Sequence, residues 1–125
     1  VQQHKAMGDD FIMLTGEDGN ALEFNKRGGQ GCISVTANVA SKLCSEMQNA
    51  SLSRNDHNLQ SRAEEINKIL TPLNKSLFIE SNPSPVKYAA SLLNLAPKDV
   101  RLPLVQVTDA TKKTIQEALH HAKLI

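Results

Sequence analysis

The sequence predicts an α/β chain: two buried strands of a parallel sheet alternate with helices, and a wholly helical segment follows. Three observations carry this. Phe11-Ile12-Met13-Leu14 is a continuous apolar run without polar alternation, as expected of a strand covered on both faces. Gly31-Cys32-Ile33-Ser34-Val35-Thr36 is a second, β-branched run bounded by glycine. After Asn38 the hydrophobic spacing changes from strand to helix and stays helical.

Taken in order, residues 2–8 read as the end of a helix closed by Gly8, the residue that tolerates a left-handed turn past a last helical residue. The first apolar run stops at Thr15-Gly16-Glu17-Asp18-Gly19. Residues 20–26 read as a short helix with Ala21, Leu22 and Phe24 as apolar positions, stopped by Gly28 and Gly29. Beyond the second run, Val39, Leu43 and Met47 fall at i, i+4 and i+8, with Ala40 and Cys44 beside them. Ser53 is expected to cap a long helix whose stripe is Leu59, Ala63, Ile66, Leu70, Leu73 and Leu77. Pro72 interrupts the amide ladder of that stripe and predicts a break or kink near Thr71. Ser84-Pro85 reads as a cap followed by proline at the first helical position. Val86, Ala89, Ala90 and Leu93 give that helix its face, and Ala96-Pro97 is expected to end it. Thr108 or Asp109 caps a last helix carrying Ile115, Ala118, Leu119 and Ala122. Positive charge from His120, His121 and Lys123 suits its C-terminal end.

Strand and helix alternation implies parallel pairing with right-handed crossovers. Two strands alone do not make a stable parallel sheet covered on both faces. A complete eight-stranded barrel takes typically about 250 residues, and this chain has 125. The residues therefore fit an incomplete α/β barrel or a piece of another α/β sheet. Val1 is not a start methionine, so the sequence is expected to begin partway through a longer polypeptide or to have been processed.

Composition narrows the function classes. With 40% hydrophobic and 22% charged residues the balance is that of a globular protein with one core. A net charge of +1, without a basic stripe, gives no electrostatic reason for a nucleic-acid or anionic-membrane partner. No apolar run approaches the roughly 20 residues of a membrane span, and no apolar stretch of a signal peptide follows the first residues. Cys32 and Cys44 read as reduced core thiols, which points to a cytosolic setting. Aromatics at 3% make no stacking platform.

Among residue types that could do chemistry, Lys87 is the tempting one. A Schiff-base lysine needs a desolvated pocket that lowers its pKa, whereas Lys87 falls in the first turn of a late helix, where packing or capping is the plainer role. Gly28-Gly29-Gln30-Gly31 precedes a strand instead of opening a helix, so its amides are not expected to converge on an anion. Cys32 has no histidine nearby in sequence to activate it. Adjacent His120 and His121 point apart on a helix and do not share a metal. Ser34, Thr36 and Asn38 alternate on or after the second run and read equally as partners of backbone amides or as site lining. Glu17 and Asp18 are adjacent carboxylates that point apart, and negative charge at a helix start is their plainer role. No metal site is expected.

Four segments resemble a known family. Leu14-Thr15-Gly16-Glu17-Asp18 resembles the "LSGDD" after the seventh barrel strand of the dihydrodipicolinate synthases. Residues 28–38 resemble their "GG-x-G-VISVTAN" on the eighth strand. Phe78-Ile79-Glu80-Ser81-Asn82-Pro83-Ser84-Pro85-Val86-Lys87 resembles "LF-x-E-x-NPIPVK", and Arg101-Leu102-Pro103-Leu104 resembles "LRLPL". All stand in the family's order and at its separations.

The resemblance implies the C-terminal part of a TIM (β/α)8 barrel, with residues 1–50 as the last two βα units, strands seven and eight, and residues 51–125 as a C-terminal helical domain. It implies a lyase of lysine and diaminopimelate biosynthesis. Pyruvate forms a Schiff base with a barrel lysine, and the enamine attacks aspartate semialdehyde to give 4-hydroxy-tetrahydrodipicolinate. That lysine lies on the sixth strand in a Gly-Ile-Lys context, which this sequence lacks. The family's proton-relay tyrosine, its threonine partner, its aldehyde-binding arginine and its lysine-feedback pocket are likewise expected upstream of Val1. No catalytic residue is therefore expected here, and the chain alone is expected to be inactive. Ile33, through its backbone, and Gly16, which leaves room, are the implied substrate-binding residues. Implied partners are the N-terminal part of the barrel and three further copies in a cytoplasmic homotetramer, with no cofactor. Residues 23–27 resemble the family's subunit-contact region, from which Lys26-Arg27 departs. Alternatives are a non-catalytic remnant, one half of a split barrel, or another pyruvate lyase of the wider superfamily, such as N-acetylneuraminate lyase or a keto-sugar-acid aldolase.

Overall fold

The computed structural model describes residues 2–8 and 10–125. Among these residues six α-helices follow one another: α1 (Gln2–Met7), α2 (Ala21–Lys26), α3 (Ser41–Leu52), α4 (His57–Ser76), α5 (Ser84–Leu92) and α6 (Asp109–His121). Short 3-10 turns at Asp18–Asn20 and Thr36–Asn38 precede α2 and α3.

The two expected strands are present only as a fragment of parallel pairing. Gln30 N donates to Met13 O at 2.9 Å, Thr15 N to Gly31 O at 3.0 Å and Ile33 N to Thr15 O at 2.8 Å. This slanted, evenly spaced pattern is that of parallel neighbours, and it leaves a single parallel bridge between Thr15 and Cys32. Among the described residues there is no extended strand, and the expectation of two buried strands is corrected. Parallel strands persist when both edges are paired and both faces are covered; here each segment has one neighbour. Ile12 is 68% exposed and Ile33 70%, so the apolar runs are legible in sequence but not buried within this chain.

Helix ends follow local chemistry. Asp56, not Ser53, caps α4: its carboxylate accepts from Asn58 N at 2.9 Å and Leu59 N at 3.1 Å. Ser53 instead closes α3, its hydroxyl donating to Asn49 O. The expected break at Pro72 does not occur, and α4 runs on to Ser76. The proline removes one amide from the ladder, but Thr71 Oγ1 donates to Asn67 O at 2.7 Å. Leu70, Leu73 and Leu77, all fully buried, hold the helix against the core; each such burial contributes about 1.5–3 kcal/mol.

The start of α5 also differs from expectation. Pro83 takes the cap position and Ser84 is the first helical residue, its hydroxyl making no capping bond. The helix ends at Leu92, short of Ala96-Pro97, because Asn94 adopts a left-handed φ of 56°. There Leu95 N reaches Ala90 O and Asn94 N reaches Ser91 O, the paired bonds of a Schellman turn. Lys123, also at φ 56°, closes α6 in the same way. Thr108 caps α6, accepting from Thr111 N. Glu80 clasps that cap from beyond α4: its carboxylate accepts from Thr108 N at 3.0 Å and Thr108 Oγ1 at 2.8 Å.

One core joins α2 to α6. Ala63, Ile66, Leu70 and Leu73 of α4 meet Met47 of α3, Ala89 of α5 and Ile115 and Leu119 of α6, with Leu22 of α2 in the same cluster. This packing sets α3 and α4 beneath the ends of the two paired segments.

Candidate functional site

The parallel bridge brings the two C-terminal ends together. The first segment leaves through Gly16 and Glu17 into the turn at Asp18–Asn20; the second leaves through Ile33 and Ser34 into the turn at Thr36–Asn38. Site residues at the C-terminal ends of strands are the rule for barrels. Gly16 and Ile33 meet here, since Thr15 O receives Ile33 N. Both are open to solvent: a Cβ on Gly16 meets no atom of this chain within 4 Å.

Asp18 organises this end, a role the sequence reasoning missed. Its side chain is buried, with 6% exposure. The carboxylate accepts a very short bond from Ser34 Oγ, and bonds from Val35 N at 2.9 Å and Thr36 N at 3.2 Å. Ser34 Oγ in turn accepts from Ala37 N at 2.9 Å. Thr36, fully buried, donates to Asn74 Oδ1 of α4 at 2.7 Å. Asn38 Nδ2 donates to Val35 O. The alternating Ser34, Thr36 and Asn38 therefore satisfy local polar groups. Glu17 caps the first turn, accepting from Gly19 N at 3.2 Å. The two adjacent carboxylates do point apart, one to solvent and one inward.

Behind the bridge lies a cavity of about 210 Å³ whose walls include Asp18, Cys32, Ser34, Cys44 and Asn74. Burial, and then the charge of Asp18, push both thiols up to about 11. Cys32 is thereby a poor nucleophile, as its lack of a histidine neighbour suggested.

The remaining candidates sit elsewhere. Lys87 is a half-buried residue of α5 and lines no wall of this cavity. In the glycine run, Gly28 takes the left-handed position that ends α2, at φ 106°, and Gly29 packs onto the Phe24 ring and carbonyl. Gln30 Oε1 accepts from Met13 N at 3.0 Å, so the run serves the turn and the pairing. Lys26 pairs with Glu64 of α4 at 2.6 Å. His120 Nδ1 lies 3.2 Å from Ile125 O. Among the described residues no group of three His, Cys, Asp or Glu side chains is placed to hold a metal. No helix among them is long and apolar enough to cross a membrane.

The dihydrodipicolinate synthetase family model matches residues 1–122. The chain is 59% identical to 4-hydroxy-tetrahydrodipicolinate synthase of Pelagibacter ubique over 125 residues, covering 99% of this chain and 42% of that protein. It is 49% identical to the synthase of Methylobacterium radiotolerans, covering 99% and 40%. Among solved structures it matches the dihydrodipicolinate synthase of Aquifex aeolicus with a TM-score of 0.90 at 35% identity, over 98% of this chain and 41% of that one. The pyruvate complex of the chloride-inhibited Acinetobacter baumannii enzyme matches with a TM-score of 0.91 at 31% identity, over 99% and 41%. The chain thus spans about two fifths of the length of the curated relatives it matches.

Proposed function

The chain belongs to the dihydrodipicolinate synthetase family, and we propose that it forms the C-terminal part of a 4-hydroxy-tetrahydrodipicolinate synthase, with residues 1–50 closing the barrel and residues 51–125 forming the helical unit outside it. The observation that carries this reading is the parallel pairing of residues 13–15 with residues 30–33, in which Leu14 and Ile33 stand exposed. Ile12, Leu14 and Ile33 present a surface that further barrel strands would cover.

In the complete enzyme a lysine amine outside these residues condenses with pyruvate, losing water to give an imine. Loss of a methyl proton gives the enamine, whose carbon attacks the aldehyde of aspartate semialdehyde. This chain contributes the rim: Gly16 leaves space for pyruvate, and the Ile33 backbone contacts it. Ile33 O accepts no bond from the described residues, so it is available to a ligand. The enzyme works as a cytoplasmic homotetramer in lysine biosynthesis.

The 125 residues alone hold no imine-forming lysine and are inactive. Assay with pyruvate and aspartate semialdehyde tests this: no turnover is expected, and robust turnover, or a borohydride-trapped pyruvate adduct on Lys87, overturns it.

A further inference from the structure

We propose that Asp18 is a positioning residue for pyruvate, acting through the backbone of Ile33; this rests on the reading of Gly16 and Ile33 as the pyruvate rim. Asp18 is a buried carboxylate that makes no ion pair among the described residues. Burying a charge without a counter-charge is unfavourable unless hydrogen bonds replace its hydration. Here they come from one place: Ser34 Oγ, Val35 N and Thr36 N, three consecutive residues directly after Ile33. Cys32 Sγ stands 4.0 Å from Oδ1, on the other side of Ile33.

Ile33 is thereby pinned from both flanks. Its amide is held by Thr15 O at 2.8 Å, and the three residues that follow are held by Asp18 through the Ser34 hydroxyl and the Val35 and Thr36 amides. Both anchors come from the segment and turn that carry Gly16, one residue after Thr15 and two before Asp18. The carboxylate therefore fixes the spacing between Gly16 and the free carbonyl of Ile33. Preorganised acceptors of this kind lower the ordering a ligand must impose when it binds. The cavity of about 210 Å³ under Asp18 and Ser34 gives the turn room to shift once the anchor is cut. Loss of the anchor then displaces the rim without collapsing the core.

The test uses a chimera in which these residues replace the matching part of the Pelagibacter ubique relative, giving a complete barrel. The unaltered chimera is expected to turn over pyruvate and aspartate semialdehyde; if it does not, the functional reading falls and this inference falls with it. In an active chimera, Asp18→Asn is expected to raise KM for pyruvate about tenfold, with kcat changed far less. Ser34→Ala, which leaves both amide bonds, is expected to raise it about threefold. Asn25→Ala breaks buried bonds to Gln48 and Ser51 remote from the rim; it is expected to lower Tm and leave KM in place. If Asp18→Asn lowers Tm but leaves KM unchanged, Asp18 is structural only and the proposal is overturned. If Asp18→Asn does not fold, Ser34→Ala decides: an unchanged KM overturns the proposal.

Discussion

Thr36 and Asn74, both buried, meet at 2.7 Å and join the turn beyond the second paired segment to the last turn of α4. Thr36→Val removes the donor and strands the Asn74 amide oxygen in the interior. A buried acceptor left unpaired costs about 1–3 kcal/mol. Chemical denaturation of the chain should show a loss of that size. Adding Asn74→Leu removes the stranded group and should recover part of it, so the double variant is more stable than the sum of the single losses implies.

The glycine turn after α2 is expected to be intolerant at two positions for different reasons. Gly28 holds φ 106°, and Gly28→Ala should cost about 1 kcal/mol from backbone strain. At Gly29 a Cβ would stand 2.7 Å from the Phe24 carbonyl oxygen and closer still to its ring. Gly29→Ala should therefore destabilise more, by about 1–3 kcal/mol, and thermal melts of the two variants should rank accordingly.

Pro72 lies exposed inside α4. Pro72→Ala restores an amide facing the Lys68 carbonyl and should raise stability, by at most about 3 kcal/mol. An unchanged or lowered melting temperature would mean that the helix bends at this position to suit its neighbours.

The two thiols provide a pH signature. Both are pushed from 9.0 up to about 11. In the folded chain they keep their protons between these values, whereas in the unfolded chain they lose them. The unfolded state thus binds fewer protons over that window, so the thiols' contribution to stability falls as pH rises from about 9 to about 11 and is constant below it. Labelling by a thiolate-selective alkylating reagent should be slow at pH 8 and accelerate toward pH 11. Rapid labelling at pH 8 would contradict the assigned burial.

The sequence was most legible where packing alone decides. Ala63, Ile66, Leu70, Leu73 and Leu77 fall where the helical period puts them, and all are buried; Leu59, at the open end of the same stripe, is not. The parallel relation of the two apolar runs was equally readable. Their burial was not: within these residues each segment has one neighbour, and Ile12 and Ile33 stand exposed. Asp18 was readable only as charge at a helix start; its inward role was not, since two of its partners are the backbone amides of Val35 and Thr36, which no side-chain pattern displays. Asn25 and Asn74 carried a readable signal, being amides on helix faces that turn inward. Ser53 and Ser84 misled because a capping residue type was present one turn away from, or one residue after, the residue that takes the cap.

The clasp of Glu80 on Thr108 closes the intervening chain, with α5 inside it, into a ring. The start of α6 cannot open without breaking these bonds, so the amide of Thr108 and those of the first turn of α6 should exchange with solvent together. The Thr111 and Thr108 contacts hold the Glu80 carboxyl below its ordinary range. That protection should therefore survive mild acid and fail only when pH falls through that lowered value.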